Sequence, residues 1–156
     1  MELPITHNKS NIWHWRGLET TWNSVGSKEI AKPAIVLIHG FGACKEHWRH
    51  NQHVLGEITI CYALDLIGFG GSSQPKARLE GDEPQIGDFS YRFDSWSEQV
   101  NDFCQEVVKQ PVILIGNSIG GVIALRTSQL LKENCCSVVL INCAQRIMDD
   151  KRLEEQ

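Results

Sequence analysis

Residues 34–38 and 112–115 are short apolar runs with no 3.6-residue period. Such runs match strands buried on both faces of a parallel sheet. Residues 59–66 and 137–142 are expected as two further strands, the second being the last of the sheet. Residues 11–17 and 20–25 alternate instead. With Trp13, Trp15 and Trp22 they predict a short antiparallel hairpin at the sheet edge. Helical patterning falls between these runs. A polar segment with Trp48 at 44–55 predicts a short helix lying on the sheet. Ser95-Trp-Ser-Glu98 reads as a capping box, followed at helical spacing by Trp96, Val100, Phe103 and Val107. Val122, Ile123, Leu125, Leu130 and Leu131 suit a third helix. Pro75, Gly81, Pro84 and Gly87 make 74–88 a loop, and 145–156 is a charged tail without readable chemistry. Strands alternating with helices predict an α/β fold: a doubly wound, mostly parallel sheet with short N-terminal antiparallel strands, in one domain spanning 1–156.

Composition narrows the function classes. With 156 residues, 42% hydrophobic and 22% charged, the chain can bury a core. A net charge of -4 and the lack of a basic run argue against nucleic acid as a partner. The apolar runs are too short for a membrane span, and the first ten residues lack the features of a signal peptide, so a cytoplasmic protein is expected. Six cysteines, at 44, 61, 104, 135, 136 and 143, form no C-x-x-C pair and are expected as reduced core thiols. His47, His50 and His53 drift off one helix face, so no metal is expected, and no cofactor.

The candidate chemistry lies in Gly116-Asn117-Ser118-Ile119-Gly120, where a buried strand meets a helix. In that setting G-x-S-x-G is a nucleophile elbow: the turn strains the serine and exposes its oxygen at the helix N-terminus, and the flanking glycines admit close packing. After 34–38 comes His39-Gly40-Phe41-Gly42, whose glycines let N–H groups point outward as an oxyanion donor requires. At the carboxyl end of 59–66 stands Asp65, leading into the glycine-rich loop to Ser73; it reads as a structural acceptor of loop N–H groups, with an acid role as the alternative.

These three motifs, in this order across residues 11–144, resemble the α/β-hydrolase superfamily. With His47-Trp48-Arg49 their wording is similar to its pheophytinase-like esterase branch. Serine at 118 separates the chain from haloalkane dehalogenases and epoxide hydrolases, which use aspartate there. The resemblance implies that Ser118 attacks an ester carbonyl and that the N–H groups of Phe41 and Ile119 hold the oxyanion. It also implies an acid and then a histidine after the serine. All six histidines precede Ser118 here, and the only later aspartates are Asp149 and Asp150. The chain is therefore expected to hold the N-terminal half to two-thirds of the fold, without lid or last strands, and His39 is the candidate substitute base. An uncovered last strand predicts a homodimer that caps it. The leading expectation is a slow, broadly specific serine hydrolase of small-molecule carboxylic esters or lactones. The alternatives are an esterase completed in trans by a chain supplying Asp and His, and a non-catalytic binding module.

Overall fold

The computed structural model describes residues 9–29, 31–77, 83 and 88–143. Six strands form one sheet: β1 (Asn11–Trp15), β2 (Leu18–Val25), β3 (Ala34–Ile38), β4 (Cys61–Leu64), β5 (Val112–Asn117) and β6 (Cys135–Ile141), in the spatial order β1-β2-β4-β3-β5-β6. β1, β2 and β4 pair antiparallel, whereas β4, β3, β5 and β6 run parallel. The mostly parallel sheet with an antiparallel entry hairpin is thus present as expected. Trp15 faces Leu18 across a two-residue turn in which Arg16 and Gly17 both have positive φ, 50° and 81°. That geometry suits the twist of a tight hairpin.

Every residue of β3 is buried, as a central parallel strand requires. One sheet face carries Val36, Ile38, Leu64 and Leu114 against α2 (Phe93–Phe103) and α3 (Ile119–Leu131). The other carries Ile35, Leu37, Cys61 and Ala63 against Trp48 and Leu55, from a 3-10 turn and the following α1 (Arg49–Gly56). Phe103 is fully buried and meets Trp13, Trp22 and Tyr62 edge-on, with centroids 5.6, 5.7 and 6.1 Å away. Burying such a ring contributes about 2 kcal/mol or more.

The capping box is not formed. α2 begins at Phe93 after an extended Arg92, and the Ser97 hydroxyl donates to the Phe93 carbonyl at 2.7 Å. Glu98 instead meets Arg16 at 2.6 Å. α2 thus starts at Phe93, upstream of the Trp96 that a Ser95 cap would make its first residue, and Phe93 packs against Trp96 with centroids 6.3 Å apart. A π-turn at Cys104–Val108 then inserts a residue, so Val108 rather than Val107 is fully buried. The expected tail at 145–156 and most of 78–87 lie outside the described residues. Among the described residues no helix is long and apolar enough to cross a membrane. All six cysteines are unpaired, but only Cys61 and Cys104 are core thiols; Cys44, Cys135 and Cys143 are half-buried and Cys136 is exposed. Burial pushes the Cys61 thiol up to about 12.

Among the described residues β6 is the sheet's edge strand, and Val139, Leu140 and Ile141 are exposed by 42%, 44% and 40%. Three consecutive apolar side chains exposed on an edge strand make a surface suited to packing against further polypeptide.

Candidate functional site

β5 ends at Asn117, and Ser118 stands alone between it and α3. Its backbone has φ 55° and ψ −121°, a region that side chains avoid at a cost of order 1–3 kcal/mol. The surroundings impose it. A Cβ on Gly116 would lie 2.1 Å from the Gly120 carbonyl oxygen, and one on Gly120 would lie 2.3 Å from that of Ile38. The Ser118 N–H donates to the Ile141 carbonyl of β6 at 3.0 Å, and the Gly121 N–H to the Ser118 carbonyl at 3.0 Å. Ser118 thus sits half-buried at the head of α3, where the first amides have no helical acceptor. Ile119 supplies the first of these amides.

β3 delivers the second loop to the same place, because Ile38 pairs with Gly116. A Cβ on Gly40 would approach Ser118 Cβ to 3.2 Å, so no larger residue fits there comfortably. Phe41 follows with its side chain 76% exposed, and Gly42 turns the chain with φ 69°. Asn117 lies beside Gly40, whose added Cβ would be 3.3 Å from the Asn117 carbonyl oxygen.

His39 is fully buried. Its Nδ1 lies 2.8 Å from the Gly40 carbonyl and its Nε2 accepts the Leu66 N–H at 3.0 Å. These contacts fix a neutral ring with the proton on Nδ1, and burial holds its pKa below the ordinary value of 6.5 despite the backbone bond. Both nitrogens are engaged by main chain, so the ring braces the Gly40 loop to the loop after β4. Neither is open to receive a proton from Ser118, which speaks against the substitute-base role. Among the described residues no histidine or carboxylate hydrogen-bonds the Ser118 hydroxyl.

Asp65 is also fully buried and takes the acceptor role expected of it. Its oxygens receive the Thr21 hydroxyl at 2.6 Å, the Gly71 N–H at 2.9 Å, the Lys45 N–H at 2.5 Å and the Lys45 ammonium at 3.0 Å. Burial alone would raise its pKa; the bonds from Thr21, Gly71 and Lys45 outweigh it and hold the carboxyl below its ordinary value. Lys45 is buried too, 5% exposed, and its ammonium also meets Glu46 at 2.9 Å. The sequence pattern predicts Lys45 within a short helix at 44–55 lying on the sheet and gives no sign of this pair beyond a lysine three residues past the tight Gly42 turn. Cys44, Glu46 and Asp65 offer ligand atoms within 4.8 Å of one another. The Lys45 ammonium bonds both carboxylates of this set and already supplies a cation there.

The family profile described as alpha/beta hydrolase fold matches residues 33–155. The chain belongs to that family. Pheophytinase of Arabidopsis thaliana is 28% identical over 144 residues, covering 80% of this chain and 30% of the relative. The 1-acylglycerol-3-phosphate O-acyltransferase of Homo sapiens is 31% identical, covering 89% of this chain and 38% of its own length. Among solved structures, a bacterial membrane phospholipase A superposes with a TM-score of 0.75 at 32% identity, covering 88% of this chain and 40% of that one. The chain therefore spans about a third of the length of these curated members of the alpha/beta hydrolase family. The names of the relatives include a pheophytinase, 1-acylglycerol-3-phosphate O-acyltransferases and an epoxide hydrolase.

Proposed function

We propose that this chain carries the nucleophile and oxyanion elements of a serine hydrolase acting on carboxylic esters or lactones. Ser118 Oγ attacks the carbonyl carbon while the Phe41 and Ile119 N–H groups receive the developing oxyanion. A histidine from outside the described residues takes the Ser118 hydroxyl proton and returns it to the departing alkoxide as collapse leaves the acyl-serine; it then takes a proton from water, whose attack releases the acid and restores the serine hydroxyl. The observation that carries this reading is the backbone of Ser118, at φ 55° and ψ −121° between Gly116 and Gly120. A strained non-glycine residue held by close packing at a helix head is the signature of an exposed nucleophile. The names of the phospholipase, pheophytinase and acyltransferase relatives agree with acyl chemistry.

The base is not assigned to His39, whose nitrogens are both bound to main chain. A histidine and acid supplied from outside residues 9–143, by polypeptide packed against β6, complete the reading. The exposed Val139, Leu140 and Ile141 support a partner there. A second copy of this chain can cover that edge, but its six histidines all precede the elbow, so the histidine and acid are assigned to a different polypeptide. The test compares p-nitrophenyl acetate turnover by the wild type and Ser118→Ala across pH 5 to 9. Turnover that vanishes with the serine sustains the proposal; the same background in both proteins refutes it. Sedimentation of wild type against Val139→Glu tests the association, with a shift to monomer expected in the variant.

A further inference from the structure

The turn that carries the Phe41 N–H is closed by a hydrogen bond from the Ala43 N–H to the Gly40 carbonyl at 3.2 Å. Its tip has little packing of its own. Phe41 touches the ring of Phe69 edge-on at 5.4 Å but is largely exposed, and a Cβ on Gly42 would meet nothing within 4 Å. A donor that must stay fixed while charge develops needs restraint from elsewhere, because a misplacement of about 1 Å can cost on the order of 10²-fold in rate.

The two ends of the turn supply it, and both are tied to one dipeptide. Before the turn, His39 Nε2 accepts the Leu66 N–H. After it, Lys45 grips Asp65 twice: its main-chain N–H donates to Oδ1 and its ammonium to Oδ2. Asp65 is itself fixed, since its N–H donates to the Thr21 carbonyl at 2.9 Å and its Oδ2 receives the Thr21 hydroxyl and the Gly71 N–H. Two bonds from one residue to the two oxygens of a carboxylate fix direction as well as distance. A single main-chain bond would leave residue 45 free to pivot about it. Stability alone does not account for a buried lysine here, because apolar residues of similar volume often stabilise as well as a buried ion pair.

We propose that Lys45 is a positioning residue: its ammonium, by making the second bond to Asp65, holds the 40–43 turn so that the Phe41 N–H points at the developing oxyanion. This rests on the reading of Ser118 as the nucleophile and Phe41 as an oxyanion donor. Lys45 acts through the turn, since its ammonium bonds Asp65 and Glu46 rather than Ser118.

The test compares the wild type with Lys45→Met, which keeps the main-chain bond and the aliphatic bulk, and with Phe103→Ala, which weakens the core without touching the turn. All are assayed where circular dichroism shows them folded. With p-nitrophenyl acetate, Lys45→Met is expected to lower kcat at least tenfold with KM within twofold, while Phe103→Ala keeps both within twofold. Amide hydrogen exchange on the full chain, followed by 15N NMR, gives a reading that needs no turnover. The Ala43 N–H is expected to exchange at least tenfold faster in Lys45→Met and within twofold of the wild type in Phe103→Ala. Should Lys45→Met not fold, Lys45→Met combined with Asp65→Asn, which leaves no uncompensated charge, carries the same expectations. An unchanged kcat in the lysine variant, a loss that Phe103→Ala matches, or an Ala43 amide as protected as in the wild type overturns the proposal. Failure of the nucleophile reading looks different: turnover is then indifferent to Ser118→Ala, while Ala43 exchange still responds to Lys45→Met.

Discussion

Replacing Lys45 by methionine isolates one buried charge. Lys45 and Asp65 are 5% and 0% exposed, and the ammonium lies 3.0 Å from the carboxylate. Methionine keeps the bulk of the aliphatic stem and removes the charge. Losing one partner of a buried pair costs roughly 3–5 kcal/mol, because the other charge is left uncompensated. Here Asp65 keeps three donors, from Thr21, Gly71 and the main chain of residue 45, so the lower end applies, about 3 kcal/mol. In a chain of this size that corresponds to a melting temperature lower by about 6–12 °C. The pH dependence is diagnostic. Asp65 is held below its ordinary value in the wild type, so its contribution is complete above about pH 4 and is lost as pH falls through the folded-state value. Without the ammonium the folded-state value rises toward what burial dictates, and protonation relieves the variant at a higher pH than the wild type. The stability gap, measured by urea unfolding, should therefore be widest at pH 7 and narrow toward pH 4. A gap under about 1 kcal/mol at pH 7, or one that stays constant with pH, would refute a charge-based role for the pair.

Four further outcomes are expected. Ser118→Gly removes a positive-φ side chain and should raise stability by about 1 kcal/mol in chemical denaturation while abolishing ester turnover. Gly120→Ala places a methyl group 2.3 Å from the Ile38 carbonyl oxygen and should cost several kcal/mol or prevent folding, read by circular dichroism. Phe103→Ala opens a cavity among Trp13, Trp22 and Tyr62 and should cost about 3–5 kcal/mol in urea. His39 is held below its ordinary 6.5, so the stability tied to its neutral form is full above that pH and declines below it toward the folded-state value. His39→Asn should remove a slope of up to about 1.4 kcal/mol per pH unit from thermal melts between pH 7 and 5.

The central strands and the elbow were legible in the sequence because both are local. A run such as Ala34–Ile38 has no polar face to offer solvent, and a serine between glycines at a strand-helix junction has few other conformations. What escaped was set by distant partners. The hydroxyl pattern at Ser95 to Glu98 satisfied a local rule, yet Glu98 is drawn to Arg16 and Ser97 to Phe93, so the helix starts elsewhere. Trp13 and Trp15 looked like simple strand formers, but their indoles donate to Glu106 and Asp102, 93 and 87 residues away. His39 carried two readings in the sequence; the Leu66 N–H at its Nε2 favours the bracing one, and no neighbour in the chain announces that contact.

The strand order also has a consequence for how the molecule is made. β3 lies between β4 and β5, and its partner in β5 starts 78 residues later, Ala34 opposite Val112. At synthesis rates of about 5–20 residues per second, β3 waits roughly 4–16 s for that partner. Throughout this interval Val36, Leu37 and Ile38 have an open backbone edge on one side. A nascent chain stalled between β4 and β5 should therefore bind holdase chaperones strongly, and release should coincide with emergence of the strand that delivers Ser118.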